Sequence, residues 1–181
     1  MKLNVVPAAT GAQWVRLGVR TFFRRPIALA GLFFMFMAAL SLLAVVPLIG
    51  GVLALVLVPA LTVGLMAAAR AADAGNFPLP GILFVAFHQG REQTRAILIL
   101  GGVYAVAVLL VVGLTALIDG GRFAQLYMGG GSMSNELIND PGFITALWVS
   151  TLLYLPVSLA FWHAPALVHW HRLPPLKSLF F

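Results

Sequence analysis

The sequence predicts an all-α integral membrane protein with four transmembrane helices arranged as two hairpins. Each hairpin is preceded by an interfacial segment, and the start of a third such unit closes the chain. Three observations predict this. Of the 181 residues, 61% are apolar and only 9% are charged, whereas a soluble chain carries about 25% charged residues. Four runs approach the roughly 20 apolar residues needed to cross a bilayer. The basic residues fall almost entirely on one side of those runs.

The first span is expected over Ile27 to Val46, a run without a charge that ends in the turn Pro47 to Gly51. The second is expected over Val52 to Ala69, the third over Ala96 to Ile118, and the fourth over Phe143 to Val168. Pro156 and Pro165 are expected to interrupt the fourth. Each run can cross a hydrocarbon layer about 30 Å thick at about 1.5 Å per helical residue. Helix is the default, because an open strand would leave backbone groups unpaired in lipid. The first run is too long for the apolar core of a signal peptide and turns straight back into a second span, so cleavage is not expected.

Charge placement sets the expected orientation. Lys2, Arg16, Arg20, Arg24 and Arg25 precede the first span, Arg70, Arg91 and Arg95 lie between the second and third, and Arg172 and Lys177 follow the fourth. Only Arg122 lies on the other side, near Asp119, Glu136 and Asp140. By the positive-inside rule both termini are cytoplasmic. The net charge of +6 then faces anionic phospholipid headgroups, each nearby Lys or Arg contributing about 1 kcal/mol. No nucleic-acid partner is expected.

The chain repeats itself. A shift of 70 residues lays Trp14 on Phe84, Arg25 on Arg95, Ile27 on Ile97 and Gly31 on Gly101. A shift of 97 lays Pro59 on Pro156, Pro78 on Pro175 and Phe84 on Phe181. This is a period for an array of membrane hairpins. It divides one membrane domain, residues 1–181, into an amphipathic interfacial segment (1–26), hairpin one (27–69) and a cytoplasmic linker (70–95). Hairpin two (96–168) follows, with a periplasmic loop at 119–142, and then the start of a third unit (169–181). A further hairpin is expected to follow that start. In the first segment Trp14, Leu17, Gly18 and Phe22 share one helical face, and Gln13, Arg16, Arg20 and Arg24 share the other. That is the pattern of a helix lying in the headgroup layer. The second lead-in, Gly81 to Arg95, puts its apolar half first and its polar half second.

Small residues carry the packing signal. Ala60, Gly64, Ala68 and Ala72 recur every four residues on the second span, and Gly101, Ala105 and Gly113 mark a stripe on the third. Such faces let backbones approach closely, within the chain or against a membrane-protein partner or second copy. Ser150, Tyr154, Ser158 and Trp162 form a weakly polar stripe on the fourth span.

Catalytic and metal signals are weak. There is no cysteine, hence no disulfide and no thiolate chemistry. His163, His169 and His171 are spaced six and two apart, not the three or four that align ligands on a helix. With His88 they are weak metal candidates, and no metal or other cofactor is expected. The plainer role is an interfacial belt with Trp162 and Trp170. The acids Asp73, Glu92, Asp119, Glu136 and Asp140 lie outside the spans, which argues against an ion-coupled carrier. The loop Asp119 to Gly142 is glycine-rich, lacks the GK[ST] of a phosphate-binding loop, and reads as a flexible linker.

The stretches FFRRPIAL, VVPLIGG, LVPALTVGLMAAARAADAG, GLTALIDGG and FWHAPALVHWHRLPPLKSLFF together resemble a family of uncharacterised multi-pass inner-membrane proteins of proteobacteria. The resemblance covers nearly the whole chain. It implies location in the bacterial inner membrane and a further hydrophobic hairpin after PPLKSLFF, and it implies no functional residue. The leading expectation is a non-catalytic membrane protein with a structural, lipid-organising or accessory role in a membrane assembly. A transporter or channel for a small or lipidic solute is the alternative. A membrane enzyme at the cytoplasmic face, using the histidines, is a third class.

Overall fold

The structure is a computed structural model that describes residues 7–47, 49–129 and 132–180. Its elements are α1 (Ala8–Arg24), α2 (Pro26–Ala44), α3 (Gly50–Asp73), a 3₁₀ segment (Pro80–Phe87), α4 (Arg91–Asp119), α5 (Arg122–Gly129), α6 (Asn135–Ile138), α7 (Pro141–His171) and α8 (Pro175–Ser178). No strand occurs among the described residues. Helices α2, α3, α4 and α7 are long and apolar enough to cross a membrane.

These four helices lie on the four expected spans, and α3, α4 and α7 run past the apolar limits. α4 begins at Arg91 rather than Ala96, and α7 ends at His171 rather than Val168. The added residues include Arg, Glu and Gln, good helix formers that hydropathy ignores. The helix starts are chemically marked. Pro26 and Pro141 stand in first turns, where a missing N–H costs nothing. Asp140 caps α7 by accepting from Phe143 N–H at 2.8 Å. α4 stops at Gly120, which takes the left-handed conformation (φ 68°) that ends helices without a Cβ clash.

Pro156 and Pro165 do not interrupt the fourth span, contrary to the expectation above: α7 is one helix through both. Each proline removes one backbone hydrogen bond. In hydrocarbon, unwinding would strand many more, so the helix persists.

α3 is the centre of the bundle. On one side it packs against α2, with Leu32 and Phe36 of α2 meeting Leu61 and Ala68 of α3 and Leu83 of the 3₁₀ segment. On the other, Ala60 and Val63 meet Ile97 and Leu100 of α4 and Ala164 and Val168 of α7. Two glycines set these approaches. A Cβ on Gly101 would run into the Val56 carbonyl of α3, and a Cβ on Gly64 would lie 2.5 Å from Leu83 Cα. Gly64 therefore meets the 3₁₀ segment. Ala68 and Ala105 are buried. Gly113 is exposed, and a Cβ added to it would meet nothing within 4 Å, so it packs on nothing among the described residues. It lies outside the α4 surface that holds Ile97, Tyr104 and Val108.

Of the loop expected at 119–142, the described residues include the helices α5 and α6. Asp119, buried at the end of α4, accepts from Gly121 N–H at 2.9 Å and Phe123 N–H at 2.6 Å, which starts α5. Phe123 then packs on the Tyr104–Val108–Val112 cluster and stacks on Tyr127. Arg122 pairs with Asp140 and ties α5 to the start of α7. The two lead-in segments also differ. α1 is a separate helix, whereas the 3₁₀ segment buries Leu83 and Ala86 against the bundle. α7 continues through residues 169–171. α8 follows them, with Ser178 buried and Leu179 packed on the core that holds Ala60 and Val168; Phe181 lies outside the described residues.

Two outcomes test this packing. Gly101→Ala forces α3 and α4 apart and should cost about 1–3 kcal/mol, as overpacking does. Gly113→Ala should leave the melting temperature in detergent unchanged or slightly raised, since alanine is the better helix former. Equal losses in both would contradict the contact described. The Asp140 carboxyl is held below its ordinary 3.8 first by the Phe143 N–H and then by Arg122. Its contribution to stability is therefore complete above pH 3.8 and is lost as pH falls through the lower folded value. Melting temperatures from pH 7 to pH 3 should fall for the parent. Asp140→Asn should start lower and lose less over the same range.

Candidate functional site

The polar groups collect at the end of the bundle where α1 ends, α3 ends and α4 begins. There α1 is fastened to α3 by its last turn. Arg24 lies 3.1 Å from Asp73 Oδ1 and also donates to the Asp73 carbonyl. Thr21 Oγ1 donates to Asp73 Oδ1 at 3.3 Å, and Arg25 donates to the Gly75 carbonyl at 3.1 Å. Cationic side chains here meet the unpaired carbonyls of a helix C-terminus, where the dipole favours them. An exposed pair of this kind contributes at most about 1 kcal/mol, but Thr21, Arg24 and Arg25 acting together fix the angle at which α1 leaves the bundle.

That angle leaves a groove of about 720 Å³ between α1, α2 and α3. Its walls are Phe22, Leu29, Phe33, Phe34 and Leu65, and Arg70 and Asp73 stand at its rim. Arg70 is exposed, with its guanidinium 6.0 Å from the centre of the Trp170 ring, a cation–π arrangement. Trp14 and Val15 of α1 are exposed, as are Arg16 and Arg20 toward its other face, with Phe23 exposed beside Arg16. The helix thus offers apolar side chains to its surroundings.

The histidines separate. His169 is 3% exposed, while His88, His163 and His171 are exposed. Gln89 Nε2 donates to His169 Nε2 at 3.0 Å, which puts the ring proton on Nδ1, and Nδ1 is buried with no partner among the described residues. His88 Nδ1–H donates to the Phe84 carbonyl at 2.8 Å. Among the described residues no three His, Asp or Glu side chains converge as metal ligands. Trp170 lies at the end of α7 beside Arg70. Trp162 lies about two turns away along α7, in the wall of a crevice with Tyr104 and Tyr154.

Sequence reasoning missed Tyr104. Its hydroxyl lies 2.8 Å from that of Tyr154 and links α4 to α7 near their midpoints. Its ring meets Phe161 edge-on at 5.0 Å. Of the polar stripe on α7, Ser150 hydrogen-bonds within its own helix, to Leu147, and Tyr154 makes an interhelical bond.

The chain is 41% identical to a probable inner membrane protein of Burkholderia thailandensis, over 184 aligned positions that take in the whole chain and 68% of that protein. No family model and no solved structure matches the chain.

Proposed function

The chain belongs to the family of multi-pass inner-membrane proteins that includes this Burkholderia protein, and from that premise we propose a non-catalytic, lipid-organising role within a membrane assembly. The observation that carries the proposal is the groove beside α1. An acyl chain fits along Phe33, Phe34 and Leu65, and Arg70 at the rim meets an anionic headgroup. The exposed Arg16 and Arg20 add attraction to the same headgroup layer. α2, which buries only Leu32 and Phe36, leaves most of its surface for lipid or for a neighbouring membrane protein. The orientation that places this basic end in the cytoplasm follows from the charge count and is part of the proposal. A carrier of a small or lipidic solute is the competing reading.

The decisive experiment is purification from native membranes with lipid analysis. Anionic phospholipid should copurify with the parent, and Arg70→Gln should reduce its share severalfold while zwitterionic lipid is unchanged. Solute flux by the purified protein, with no lipid selectivity, would favour the carrier. Orientation is tested with single cysteines in this cysteine-free chain. Ser132→Cys should react with an impermeant thiol reagent in spheroplasts, and Lys177→Cys should react only after lysis. Lys177 is exposed, whereas its neighbour Ser178 is buried and would report poorly. The reverse pattern would invert the topology.

A further inference from the structure

The interior of the bundle holds a second cavity, of about 320 Å³, between α3, α4 and α7. It is separate from the groove beside α1. Thr62 of α3, Tyr104 of α4, and Tyr154, Ser158, Phe161 and Trp162 of α7 line it. Tyr104, Tyr154 and Ser158 all lie about 20 Å or more along their helices from the nearer end, so the crevice sits deep in the hydrocarbon layer. Trp162 is 64% and Tyr154 39% exposed, so the crevice opens sideways into lipid rather than toward water at either end.

Its polar chemistry is unusual for that depth. The two tyrosines carry two hydroxyl protons, and their mutual bond uses one. Whichever hydroxyl donates, the other keeps a proton that has no acceptor among the described residues. Hydroxyls on these helices usually bond back to their own backbone, as Thr62 does to Val58 and Thr151 does to Leu147. The Ser158 hydroxyl makes no such bond among the described residues. Pro59 and Pro165 also stand in the wall, and Pro165 deprives the Phe161 carbonyl of its usual helical donor. Unpaired polar groups in hydrocarbon are costly and are stabilised by a ligand that pairs them. No formally charged side chain lines the crevice, so a charged ligand would lack compensation there. The aromatic walls suit a flat ring. The volume equals about ten waters at about 30 Å³ each, enough for one substituted ring and too small for a phospholipid.

We propose that this crevice binds an uncharged, bilayer-soluble molecule whose flat ring bears a hydrogen-bond-accepting carbonyl, of the quinone class. The ring enters sideways from lipid beside Trp162, its carbonyl accepts the free tyrosine proton, and its tail remains among acyl chains. The reading is one of binding; no electron transfer is invoked.

The test uses the purified full chain in lipid nanodiscs, with decylubiquinone as the probe and the same alkyl chain on a plain phenyl ring as its comparison. Quinones quench tryptophan fluorescence. Titration should show a saturable component above the linear quenching due to partition into lipid, and it should disappear in Trp162→Phe. The double variant Tyr104→Phe, Tyr154→Phe keeps both rings and removes both hydroxyls. It should weaken binding at least fivefold while its circular dichroism and melting remain near the parent's. Should that variant fail to fold, Ser158→Leu, which fills the crevice, should give the same loss. The phenyl probe should not compete. Purely linear quenching, equal competition by the phenyl probe, or undiminished binding when the hydroxyls are removed or the crevice is filled would overturn the proposal.

Discussion

The close approach of α3 to its neighbours is the constraint on which the rest of the structure depends. In lipid, burying an apolar side chain against another helix gains little, since the acyl chains are equally apolar. Association then rests on packing and on the few available hydrogen bonds. Gly101 lets the α4 backbone meet the Val56 carbonyl, and Gly64 lets the 3₁₀ segment lie on α3. Once α4 and the 3₁₀ segment are held to α3, α7 completes the layer through Val168 and Ala164. The Tyr104–Tyr154 bond adds interhelical stabilisation of about 0.6 kcal/mol, with an upper value near about 1.7.

The parts of this arrangement legible in the sequence are those with a physical signal confined to one segment. Charge-free runs reveal the spans, because lipid excludes charge over a fixed thickness. The four-residue spacing of small side chains reveals the face of α3 that holds Gly64. Other features are written in pairs of distant residues. Tyr104 is a lone polar residue in an apolar run, and only its meeting with Tyr154 fifty positions later gives it a role. Asp119 reads as a loop acid, yet its two backbone bonds start a helix within a glycine-rich stretch. Pro156 and Pro165 suggest a break because proline breaks helices where water can solvate the freed carbonyls. Lipid offers no such solvent.

The molecule separates its chemistry by depth. At one end, guanidinium groups, helix C-terminal carbonyls and the part-buried His169–Gln89 contact are gathered into a polar layer. At the other, Asp119 and the Arg122–Asp140 pair organise the crossover. Between them, among the described residues, neutral hydroxyls and proline-freed carbonyls interrupt the apolar interior. The charged groups of the polar end and the neutral lining of the crevice therefore present different chemistry at different depths.

The central place of α3 also has a kinetic side. Chains enter the membrane in order, and about 46 residues separate the end of α3 from the end of α4. At about 5–20 residues per second, the end of α4 follows the end of α3 by about 2 to 9 seconds. During that interval the groove that Gly101 will fill is open to lipid, and α2 covers only the opposite flank of α3. An immature hairpin in this state presents the flank that holds Val56, Ala60 and Val63 to every neighbouring helix that is also being inserted. The order of synthesis thus leaves a central packing surface of the finished protein uncovered during assembly.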